Sequence, residues 1–195
     1  VVVEGLSASV DLDKFNARLF ATPIEKVVGD FGESGFAVRL AVERGIDWMC
    51  PEPGEKIVTD VLLEKGFSKD EIFAHYIMQV LPQYNRLPER SGFRNYALGF
   101  VTKLQKLTEW EDYDFTYENA IRIAEEILGR KLNVEKESNA AEFTDPIFRE
   151  NRDYTSTVLN TISRESGIVR DEGIVTALVK AKEKYKKIFV VYGAS

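Results

Sequence analysis

The chain has little of what most chemical motifs require. In 195 residues there is one cysteine, Cys50, and one histidine, His75. A lone cysteine excludes an internal disulfide framework but leaves the compartment open, because many secreted proteins also lack disulfides. A lone imidazole leaves a transition-metal centre incomplete on these residues, since such centres normally combine imidazole with carboxylate. No apolar run approaches the roughly 20 residues that span a bilayer, so no transmembrane segment is expected. Lys and Arg number 26 against 32 Asp and Glu, a net charge of −6. The basic residues are scattered rather than gathered into a stripe, which argues against a nucleic-acid partner. Ser195 has no G-x-S-x-G around it, which argues against a serine hydrolase. There is no internal repeat and no low-complexity segment.

What is present reads as alternating short strands and helices. "VVVEGL" begins as a strand over 1–3 and ends at Glu4-Gly5, while "IDWMC" at 46–50 reads as a short buried strand stopped by Pro51-Glu52-Pro53. "IFVVY" at 188–192 reads as a buried final strand. Helices are expected over 33–44 with Gly45 just past the end, over 55–65 closed by Gly66, and from the capping box Ser68-x-x-Glu71 as far as Pro82. Another is expected over 116–128 with Gly129 as its stop, and two more over 153–164 and 171–185. Strands separated by helices predict an α/β fold: a mostly parallel sheet flanked by helices, in a single domain over 1–195. Residues 87–139, aromatic, charged and without strand pattern, are expected as a helical insertion or lid over the sheet's carboxyl edge.

In a parallel sheet the carboxyl ends of the strands, and the starts of the helices feeding the next strands, share one edge. That rule gathers Glu4, Glu52 and residues 193–195 at strand ends, and Glu33 and the pair Arg170-Asp171 at expected helix starts. Three carboxylates at one cleft repel one another unless a cation, Arg170 or a metal, sits among them. Each residue also has an ordinary account. Acids such as Glu33 and Asp171 favour the first turn of a helix. Glu52 fits a turn between prolines, Arg170 a surface ion pair, Cys50 the core, and His75 a partly solvated helix position beside Glu71. Glu4 is harder to dismiss, since an acid directly after a valine run needs a partner if buried.

"VVVEGL", "GESGFAVRLAVERGIDWMCPEP" and "RESGIVRDEGIVTALVKAKEKYKKIFVVYGAS" together resemble the superfamily that includes TraB/PrgY-like, TIKI, GumN, ChaN-like and erythromycin-esterase-like proteins. Its pattern is a G-x-x-H after an early strand, an acid after the next, an Arg-Asp pair opening a late helix, and a second G-x-x-H after a late strand. The resemblance implies that Glu4, Glu33, Glu52, Arg170 and Asp171 are site residues, with Arg152-Asp153 a second candidate for the pair. Both histidines are missing. The resemblance implies that one precedes Val1 and the other follows Ser195, so the chain is expected to be trimmed at both ends, which leaves localisation open. It further implies a hydrolase acting on a small-molecule or peptide substrate, through water activated by acid–base groups or by a divalent metal ion with Glu4 among its ligands. Some members bind haem or have no established reaction, so a non-catalytic ligand-binding protein is the alternative.

Overall fold

The computed structural model describes residues 1–5, 12–137, 141–146 and 156–192. In chain order the elements are β1 (Val2–Val3), α1 (Leu12–Ala21), α2 (Ile24–Glu43), α3 (Glu55–Glu64), α4 (Lys69–Met78), α5 (Leu81–Asn85), α6 (Phe93–Thr108), α7 (Tyr117–Leu128), α8 (Ala141–Thr144), α9 (Val158–Lys184) and β2 (Val190–Val191). Helices dominate, and the only sheet among the described residues is the parallel pair β1–β2, in register Val2 to Val190 and Val3 to Val191. The expected α/β fold with a mostly parallel flanked sheet is therefore corrected to a mostly helical one. Extended segments do fall where the sequence suggests, but each is too short to make a sheet layer. Neither "IDWMC" nor "IFVVY" is the buried strand expected: Ile46 is 47% and Phe189 65% exposed, because no further strand or helix layer covers them among the described residues. "IDWMC" contributes a single parallel bridge, Met49 to Val2.

The chain divides into two compact units. The first is Val1–Glu55 with Val169–Ser195, and the second is Lys56–Ile168. In the first unit β1 lies centrally, with Met49 on one side and β2 on the other. Val3 packs with Leu19 of α1 and with Val27 and Val38 of α2 in the core of this unit, and Trp48, Cys50 and Val191 pack against them half-buried. α2 breaks at Gly32, whose φ of 70° and ψ of −176° are open to glycine and costly for other residues. Its second half restarts at Glu33 and runs through the span expected from the sequence.

The second unit contains no strand among its described residues. Its core joins Phe73 and Ile77 of α4, Tyr84 of α5, Phe93 and Leu104 of α6, Ala120 and Ile123 of α7, Phe143 of α8 and Leu159 of α9. Residues 87–139 thus belong to a larger helical unit with its own core. Pro82 does not end the helix before it: α4 stops at Met78, and Pro82 stands in the first turn of α5, where a missing N–H costs nothing. His75 is 5% exposed, not partly solvated. α4 is buried nearly all round, so a position off the apolar arc still lies inside.

α9 also departs from expectation, being one helix where two were expected. Ser166, which would suit a cap, instead donates its hydroxyl to Ile162 O at 2.6 Å and stays within the helix. Arg170 and Asp171 consequently lie inside α9 rather than opening a helix. Residue 153, where the earlier helix was expected to start, lies outside the described residues.

Candidate functional site

Three backbone segments carry the candidate residues to one edge of the first unit. β1 delivers Glu4 and Gly5 directly after its two buried valines. Beyond Met49, Pro51 and Pro53 have no N–H to continue a ladder, so the chain leaves the sheet with Glu52 held between two fixed φ angles. The Gly5 N–H donates to Glu52 Oε2 at 2.7 Å, tying the two strand ends together. α9 then passes close by. Gly173 permits this, because a Cβ there would lie 2.9 Å from Pro53 Cδ.

Arg170, one turn before Gly173, places Nε 3.9 Å from Glu52 Oε1. The pair is long and its arginine is half-exposed, so its contribution to stability is small, about 0–1 kcal/mol. The cation expected among the carboxylates is thus present, and its described ion pair is with Glu52. Asp171 accepts a hydrogen bond from Tyr192 Oη at 2.9 Å. Desolvation, that hydrogen bond, and the charges of Asp171, Glu4 and Glu52 push the Tyr192 phenol up to about 12. Glu4 and Glu52 are therefore near enough for their charges to reach Tyr192 electrostatically.

The structure thus brings together Glu4, Glu52, Arg170 and Asp171, and it adds Tyr192, which sequence reasoning missed. The signal for it was available: Tyr192 is the polar-tipped residue directly after β2, at the same edge as Glu4. Glu33 is not joined to this group. It is exposed, and no described hydrogen bond or ion pair links it to the other four. Residues 193–195, expected at this edge, and Arg152-Asp153, the second candidate pair, lie outside the described residues. Cys50 is half-buried against the core of the unit, in keeping with its ordinary account.

Among the described residues no three His, Cys, Asp or Glu side chains gather closely enough to hold a metal ion. Glu4 and Glu52 alone do not make up a metal-binding set, and no step is routed through a metal ion. Among the described residues no helix is long and apolar enough to cross a membrane. No family model, curated protein or solved structure matches the chain.

Proposed function

We propose that the edge formed by Glu4, Glu52, Arg170, Asp171 and Tyr192 is a hydrolytic site of the kind the sequence resemblance implies, acting on an ester or amide carbonyl. The observation that carries this reading is the convergence itself. Residues from the start, the first third and the end of the chain meet through the Gly5–Glu52, Arg170–Glu52 and Tyr192–Asp171 contacts. Structural economy alone does not require so many charged groups at one sheet edge.

In this reading the Glu52 carboxylate takes a proton from water as the water oxygen bonds to the carbonyl carbon. The Arg170 guanidinium stabilises the negative oxygen that develops. The bond to the leaving group then breaks, and the leaving oxygen or nitrogen takes the proton back. Tyr192, protonated at neutral pH, donates to Asp171 and holds it in place beside Arg170. The test is hydrolysis of p-nitrophenyl acetate and of a chromogenic peptide amide by the chain and its Glu52→Gln variant. The variant is expected to lose on the order of 10²–10⁴ in rate. A chain no faster than buffer, or a variant as fast as the parent, would overturn the reading.

A further inference from the structure

β2 has a partner on one side only. The Val2 N–H donates to Phe189 O at 2.8 Å, so β1 bonds to the residues flanking Val190. In a parallel ladder the intervening residue turns its own N–H and C=O the other way. Val190, and with it Ile188 and Tyr192, therefore presents backbone groups to the outer edge, and no described residue pairs with them. Natural proteins usually blunt such an edge with charge, proline, a bulge or a covering segment. Here the edge is Ile-Phe-Val-Val-Tyr, with Phe189 65% and Val190 42% exposed.

α9 extends this surface. Asp171, Val175 and Val179 are spaced by four and share one flank of the helix. Asp171 holds Tyr192 of β2, whereas Arg170 and Gly173, on the other flank, meet Glu52 and Pro53 on the Met49 side. Val175 and Val179 consequently lie on the β2 side, and they are 57% and 58% exposed. An open strand edge and an apolar helical row thus face the same way.

Charge selects the occupant. Among the described residues, Lys186 and Lys187, both exposed, stand at the entry to β2, where Lys184 also faces Asp47, while Glu4, Glu52 and Asp171 stand with Arg170 at its exit. A second β2 laid antiparallel brings each copy's lysines to the other's acidic end, and a twofold pairing of this kind is closed and self-complementary. We propose that a second copy of this chain pairs antiparallel with β2, Val190 opposite Val190 and Ile188 opposite Tyr192, with Val175 and Val179 of the two α9 helices packing across the axis.

Sedimentation equilibrium of the whole chain tests this, together with amide hydrogen exchange. At a concentration on the order of 100 µM, the expected mass is twice the 22.2 kDa of one chain, with the Ile188, Val190 and Tyr192 amides protected. The double variant Val175→Asp with Val179→Asp alters exposed positions only, and should keep its helical circular dichroism while weakening the dimer at least about tenfold. Lys187→Glu should weaken it about tenfold as well, and flatten its salt dependence. A monomer at that concentration overturns the proposal. If those amides are nevertheless protected in the monomer, the edge is covered from within the chain. A dimer indifferent to all three substitutions overturns it too, since the contact then lies elsewhere.

Discussion

Gly167 and Gly173 share α9, yet they meet different surroundings. A Cβ at Gly167 would find nothing within 4 Å, whereas at Gly173 it would lie 2.9 Å from Pro53 Cδ and 3.5 Å from the Pro51 carbonyl oxygen. Gly167→Ala should therefore stabilise by up to about 1 kcal/mol through helix propensity. Gly173→Ala should cost about 1–3 kcal/mol, because the Pro51-Glu52-Pro53 segment must move away. Urea denaturation of the two variants checks the opposite signs, and loss of ester hydrolysis in Gly173→Ala alone would tie that contact to the position of Glu52. Tyr192 offers a pH test. Its folded pKa of about 12 exceeds the ordinary 10.0, so the fold favours the protonated phenol. That stabilisation is fully present below pH 10 and is lost as pH rises from about 10 towards about 12. Tyr84, Tyr113 and Tyr117 are also pushed up by burial, so tyrosinate absorbance should show one late-titrating phenol fewer in Tyr192→Phe than in the parent.

At the scale of elements, the helices of the second unit show how far local signals reach. Ser68 and Glu71 form the expected capping box: the Glu71 N–H donates to Ser68 Oγ at 3.2 Å, and the Ser68 N–H donates to Glu71 Oε2 at 2.8 Å. Ser68→Ala should cost about 1 kcal/mol in chemical denaturation. α6 has no such local cap, since Gly92 at its start carries no side chain. Glu135 supplies one from a distant turn, accepting from the Phe93 N–H at 2.6 Å and from Tyr84 Oη at 2.7 Å. Glu135→Ala takes the acceptor from both donors and should cost about 1–3 kcal/mol. A loss no larger than that of an exposed control such as Glu111→Ala would show that water replaces the carboxylate.

At the scale of the whole molecule, each compact unit has its own core. Phe73 is fully buried in the second unit and meets Tyr113 and Phe115 edge-on, each with ring centroids 5.5 Å away. Phe73→Ala should remove about 3–5 kcal/mol. Hydrogen exchange should show the loss concentrated in amides of 56–168, with those of β1 and α2 little changed. Equal loss in both units would mean that they unfold together.

Local chemistry was legible in the sequence wherever it was self-contained. The capping box at Ser68, the helix closed by Gly129, the restart at Glu33 and the three extended segments each depend on neighbours a few residues apart, and all stand where the pattern placed them. The edge location of Glu4 and Glu52 was legible too, because parallel strands share a carboxyl end. What the pattern could not weigh was length: an apolar run of three to five residues reads as a strand whether all of it or only one or two residues join a ladder, and so it points to an α/β fold. Nor could it show that Ser166 bonds back into α9 and carries the helix through Arg170 and Asp171, or that Tyr192 reaches Asp171 while Glu33 stays apart. The meeting of Tyr192 with Asp171 depends on which segments come together in space, and the packing of α9 against the Pro51-Glu52-Pro53 segment and β2 decides it.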